Sequence, residues 1–221
     1  MGFLVKLRFI TQIQVFSDNF MTTHLNNDKE LYSQQFKNKN KLVGQTIKEI
    51  IFFLEETDKD FTEQPNEYGK SLLSGIDIKT GNEIFSIGNR YTNSGYGLSI
   101  DLGQTNKIDY LNEEKKPSSF DTSIVGQTVL TVDIFWMKIP FEGATGFYPQ
   151  EIEIVADKGY LLFSSIEVNS GQVNTEFTNE LLIIDNKETA KQLKLGQFGV
   201  KDNDRKLFYD LETLIKSGEK N

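Results

Sequence analysis

The carboxylates give this chain its widest scope for chemistry. Three sets stand out: Glu55, Glu56, Asp58 and Asp60 in one run, Glu151 and Glu153 two residues apart, and Asp101 with Asp185 at two strand ends. Two carboxylates can act as general acid and base when they flank a bond at the right separation. Glu151 and Glu153, two apart on a strand, share one sheet face, and the alternation Glu-Ile-Glu-Ile reads as acids outward and isoleucines inward. Other reactive groups are scarce. There is one histidine, His24, and no cysteine, which excludes thiolate metal sites, a cysteine nucleophile and any multi-histidine centre. No Gly-X-Ser-X-Gly turn is present to activate a serine. Asp202-Asn203-Asp204 opens like a calcium loop but lacks the glycine and distal glutamate such a loop needs. Gly95-X-Gly97 precedes a strand instead of joining a strand to a helix, so it is no phosphate cradle. The expectation is no catalytic residue, no metal and no cofactor.

The elements that would position these groups come in two similar sets. Leu42-Val43-Gly44-Gln45-Thr46-Ile47 is echoed by Ile124-Val125-Gly126-Gln127-Thr128-Val129, and each is followed by an apolar run, 50–54 and 132–136. The order continues with Ile76-Asp77-Ile78 against Ile152-Glu153-Ile154, Ile84-Phe85-Ser86 against Leu162-Phe163-Ser164, and Leu98–Asp101 against Leu182–Asp185. Four collinear matches imply an internal duplication.

The fold class expected is mainly β (α+β): two related antiparallel units of about four strands, with a short N-terminal helix and a C-terminal helix packed on a sheet. Residues 1–40 hold a strand and the helix, 41–110 the first unit, 111–122 a charged linker with Pro117, 123–200 the second unit, and 201–221 the C-terminal helix. That last helix is read from Leu207, Phe208, Leu211, Leu214 and Ile215 at helical spacing. Phe52, Phe53, Phe135 and Trp136 fall at equivalent strand positions and are expected in the core. Tyr91, Tyr96, Phe147 and Tyr148 fall in glycine-rich polar stretches and read as residues of recognition loops.

The net charge is −8, and residues 41–122 and 123–200 each contribute −5. Phosphate backbones attract basic surfaces, so nucleic acid is disfavoured as a partner. No run of apolar residues is long enough for a membrane helix, and the absence of cysteine favours a reducing, cytoplasmic setting. The functional expectation is a non-catalytic acidic protein-binding module that engages a basic protein through Glu55, Glu56, Asp58, Asp60, Tyr91, Tyr96, Phe147 and Tyr148. In size and charge the chain is similar to the polymorphic-toxin immunity proteins, and that likeness implies an immunity-like role. The alternatives are a small-ligand or carbohydrate module stacking on those aromatics, and a structural subunit assembling through sheet edges; the oligomeric state is left open.

Overall fold

The computed structural model describes residues 33–54, 65–66, 69–72, 75–92, 95–103, 116–119, 122–141, 144–169, 172–174, 181–200 and 208–209. The N-terminal strand expected before residue 33, His24 and the acidic run 55–60 lie outside these residues. A helix, α1, covers residues 33–42.

Two antiparallel sheets follow, built from strands rich in Ile, Val, Phe and Leu, the residue types that suit a pleated, packed surface. The strands are β1 (Glu49–Leu54), β2 (Pro65–Asn66), β3 (Gly69–Leu72), β4 (Gly75–Lys79), β5 (Ile84–Thr92), β6 (Gly95–Leu102), β7 (Lys116–Ser119), β8 (Val129–Phe141), β9 (Ala144–Ala156), β10 (Gly159–Ser164), β11 (Glu167–Asn169), β12 (Gln172–Asn174), β13 (Leu181–Ile184) and β14 (Phe208–Tyr209). A short helix, α2 (Lys187–Gln192), and a 3-10 turn at Gly196–Phe198 follow β13. One sheet runs β6-β5-β4-β1-β7 and the other β14-β8-β9-β10-β13-β3-β2; β11 and β12 pair separately. The protein is mainly β.

Both sheets contain the same order of strands: β7-β1-β4-β5-β6 in the first matches β14-β8-β9-β10-β13 in the second. Register matches too. Ile50 lies opposite Ile78 as Val132 lies opposite Ile154, and Ile76 opposite Ile87 as Ile152 opposite Phe163. Inward-facing side chains from both sheets form one core, among them Ile76, Ile78, Phe85, Ile87, Leu98 and Ile100 from the first and Val132, Ile134, Ile152, Ile154, Leu161 and Phe163 from the second. Trp136 is fully buried in that core, as expected, while Phe135 is half-buried.

The repeated Val-Gly-Gln-Thr segments meet each other at the centre. The Gly44 amide donates to Val129 O at 2.9 Å and the Gly126 amide to Ile47 O at 2.8 Å, while Ile47 donates to Gln127 O at 3.0 Å and Val129 to Gln45 O at 2.9 Å. Exchanging the two segments maps each bond onto another, and the hydroxyls of Thr46 and Thr128 lie 3.3 Å apart between them. Each segment begins with a turn closed by Gln45 N to Leu42 O or Gln127 N to Ile124 O, both 3.1 Å. In these turns the third residue is Gly44 (φ +81) or Gly126 (φ +85). That φ is what a type II turn requires at its third position, which explains why the motif carries a glycine there.

Two of the matches change in detail. The match of Ile84-Phe85-Ser86 with Leu162-Phe163-Ser164 placed Phe85 with Phe163, but both hairpins have two-residue tips, Gly81-Asn82 and Asp157-Lys158, so register pairs Phe85 with Leu161. Ile100 corresponds to Ile183, not Ile184, because Ile87 faces Ile100 as Phe163 faces Ile183. A one-residue slip exchanges the faces of a strand, so Leu181 and Ile183 point to the main core while Leu182 and Ile184 point away. The sequence could not fix this because all four residues of β13 are apolar and buried on both faces.

The segment 116–119, read as part of a linker, is strand β7, pairing from Ile51↔Ser119 to Leu54↔Lys116. Phe208 and Tyr209, read as helical, form β14 against Met137 and Trp136, so helix is overturned at those two residues. Ladder bonds to the exposed side of β8 outweigh a helical stripe there; the remainder of 201–221 lies outside the described residues.

Candidate functional site

Glu151 and Glu153 are buried, at 0% and 1% exposure, not outward on an open face. Their face of the second sheet is covered by the chain that follows β13. Asn186 starts α2 by accepting the Glu188 amide at 2.9 Å on its side chain. The helix ends in a turn closed by Leu195 N to Ala190 O at 2.8 Å and Lys194 N to Lys191 O at 3.1 Å, with Lys194 at φ 54. That double bond pattern is a Schellman cap, which reverses the chain and drives Leu195 back toward the sheet. Ala190, Leu193 and Leu195 then pack with Tyr160, Leu162, Leu182 and Ile184 in a second apolar cluster.

The chain after that cap delivers donors to both acids. Glu151 accepts Ser164 Oγ at 3.2 Å on one oxygen and the Gly196 amide on the other. Glu153 accepts Gln197 Nε2 at 3.0 Å and the Gln197 amide at 3.4 Å. A buried carboxylate is costly unless its lone pairs find donors, and here the 3-10 turn supplies them. Tyr160 lies in the same layer; burial first, then the negative charges of Glu153 and Glu151, raise its pKa and hold the phenol protonated. The first unit has a smaller counterpart, where the single O–H of Ser86 is shared between buried Asp77, at 2.7 Å, and the Gly103 carbonyl. The signal that α2 would cover these acids was present in Asn186 as a cap and in Ala190 and Leu193 at helical spacing.

Of the other candidates, Asp101 is half-buried and Asp185 is exposed, on opposite sheets, and register no longer makes them equivalent. Glu55, Glu56, Asp58 and Asp60 lie outside the described residues, between the end of β1 in one sheet and β2 at the rim of the other. Tyr91 and Tyr96 are in strands, not in a loop: they oppose each other in the β5–β6 ladder, next to the hairpin tip. Phe147 and Tyr148 are likewise in β9, opposite Lys138 and Met137. The ladder extends into these polar stretches because each hairpin continues its neighbour's hydrogen bonding to the tip.

The structure brings these two aromatic segments together. A Cβ on Gly97 would lie 3.0 Å from Pro149 Cδ and 3.1 Å from its carbonyl, so the backbones next to Tyr96 and Tyr148 are in close contact across the two sheets. Pro149 is tolerated in a central strand because it sits opposite Trp136, at the bulge where the β8–β9 register shifts.

The sheet edges bear on assembly. Pro65 is in the outermost strand β2 and Pro117 in β7, and neither has an N–H to offer an added strand. At the β6 edge, Gln35 Nε2 donates to Leu98 O at 3.4 Å and Asn38 Nδ2 to Ile100 O at 2.8 Å. The expected result is a monomeric mass by multi-angle light scattering at micromolar concentration; a stable dimer would restore assembly through sheet edges.

Among the described residues no three His, Asp or Glu side chains gather closely enough to hold a metal ion, and no helix is long and apolar enough to cross a membrane. Comparison with family models, with curated proteins and with solved structures found no match to this chain.

Proposed function

We propose that this is a non-catalytic cytoplasmic protein that binds a basic protein partner, in an immunity-like role. The observation that carries the reading is where the charge lies. Of 24 Lys and Arg and 32 Asp and Glu, 13 and 11 fall among the described residues, leaving 11 and 21 in the rest of the sequence. The described residues are therefore close to neutral, and the acidity falls in the rest of the sequence. Residues 55–64 concentrate it most, with five acids and one lysine. The paired carboxylates Glu151 and Glu153 have their oxygens engaged by Ser164, Gly196 and Gln197, which supports a binding role over an enzymatic one.

A clustered negative segment steers a basic partner during encounter and affects association more than dissociation. Once the partner is captured by affinity purification, surface plasmon resonance gives the test. Reversing Glu55, Glu56, Asp58 and Asp60 to lysine slows association about tenfold at low ionic strength, and the wild-type rate falls as salt rises. An association rate indifferent to both salt and charge reversal would overturn the proposal.

The second reading, a carbohydrate or small-ligand surface, is favoured by the juxtaposition of the segments bearing Tyr91, Tyr96, Phe147 and Tyr148. We also read the two units as descendants of one duplicated unit. Support comes from the common strand order, the common register and the exchangeable hydrogen bonds around Thr46 and Thr128.

A further inference from the structure

We propose that the corner between the β9–β10 hairpin tip, the turn before β8 and the start of α2 binds a small polyhydroxylated anion, its phosphate or carboxylate held by Lys158 and Lys187. A pocket of about 640 Å³ opens there, bordered by Ser123, Lys158, Tyr160, Asp185, Asn186 and Lys187. It is a shallow depression that leaves a bound molecule largely open to solvent.

Three lysines of the described residues are ion-paired. Lys41, Lys79 and Lys191 pair with Glu83, Glu49 and Glu188. Neither Lys158 nor Lys187 has such a partner among the described residues; Asp185 is the one carboxylate bordering the pocket, and Asp157 stands beside Lys158 at the hairpin tip. Two ammonium groups at one pocket attract an oxyanion despite the overall charge of −8, because exposed charges farther than a Debye length, about 8 Å at physiological salt, are largely screened. Asp185 then supplies an acceptor for a ligand hydroxyl. Asn186 has its oxygen engaged with the Glu188 amide, which leaves its NH₂ group as a donor. Tyr160, kept protonated by burial and by Glu153, closes the inner wall without adding charge.

Comparison of the two units shows why the corner is open. By strand register Ser123 occupies the place of Lys41 and Gly159 the place of Glu83. In the first unit those two residues meet as an ion pair at 3.8 Å. In the second, a Cβ on Gly159 would lie 2.6 Å from Ile124 Cα, so no side chain fits there and the hairpin closes directly on the turn. No ion pair closes the second corner, and Ser123, Lys158 and Lys187 border the pocket there.

Isothermal titration calorimetry with glucose 6-phosphate, glucuronate, glucose and inorganic phosphate tests the assignment and separates phosphate from carboxylate recognition. One of the two sugar anions is expected to bind with a Kd of about 1 mM or tighter, and glucose is not. The Lys158→Ala/Lys187→Ala protein, whose changes are on exposed side chains, is expected to keep its circular dichroism spectrum and to bind at least about tenfold more weakly. Three outcomes overturn the proposal: no binding of either sugar anion at about 10 mM, equal affinity in the double variant, or inorganic phosphate binding as well as the sugar anions, which means an adventitious ion only. The probes carry no basic protein surface, so failure here leaves the partner-binding proposal standing, and the reverse also holds.

Discussion

Replacing Glu151 by alanine lowers the unfolding free energy by about 3 kcal/mol, whereas Glu151→Gln lowers it by about 1 kcal/mol. Alanine removes both acceptors at once. The Gly196 amide and the Ser164 hydroxyl are then left in a fully buried site with nothing to bond, and each such orphan costs about 1–3 kcal/mol. Glutamine restores both contacts in one orientation: its carbonyl oxygen accepts the Gly196 N–H and its amide donates to Ser164 Oγ, because a hydroxyl can accept as readily as it donates. Urea denaturation measures the two losses, and hydrogen exchange at the Gly196 amide localises them. If glutamine costs as much as alanine, the negative charge and not the acceptor geometry holds the 186–200 segment. That outcome would also reopen Glu151 as a group kept charged for another purpose.

Trp136→Ala is the second large effect, at about 3–5 kcal/mol. Trp136 is the largest fully buried side chain and sits in the core shared by the two sheets, at the β8–β9 bulge and beside β14. Truncation opens a cavity that rigid ladders on both sides prevent from collapsing, so both the transfer and the cavity contributions are lost. Trp136→Phe retains most of the volume and is expected to cost less than half as much. Trp136 is also the only tryptophan in the chain, so its fluorescence reports this core: emission is blue-shifted in the native protein and moves to the red on unfolding. Unfolding followed by circular dichroism gives the stability of the variants. A loss under about 1 kcal/mol for alanine would mean that the centre of the sandwich is loosely packed.

Much of the framework was legible because β-structure writes its period into the chain. Ile76-Asp77-Ile78 and Ile152-Glu153-Ile154 alternate, and the alternation correctly turns the isoleucines of both toward one core. The Val-Gly-Gln-Thr repeats were visible as a match, and the structure adds their purpose: a glycine-dependent turn followed by a strand start that bonds to its own counterpart. Where the pattern was weak the reading slipped. Leu181–Ile184 is apolar throughout, so nothing in it distinguished one register from the next, and the match went astray by one residue. Phe208 and Tyr209 carried a helical stripe, but a two-residue segment takes its conformation from the strand beside it.

The candidate site shows the same division more sharply. Sequence alone determined the alternating strands around Ile76-Asp77-Ile78 and Ile152-Glu153-Ile154 and the shared face of Glu151 and Glu153, because those depend on neighbours one to four residues away. Whether that face meets water or protein was decided by Gly196 and Gln197, more than forty residues along the chain. Only the closed fold brings their N–H groups to the two acids, and a carboxylate that would otherwise require solvent is then stable in the interior. The open corner at Lys158 and Lys187 was likewise a tertiary outcome, since it is bordered by the turn before β8, the β9–β10 tip and the start of α2, which only the fold brings together.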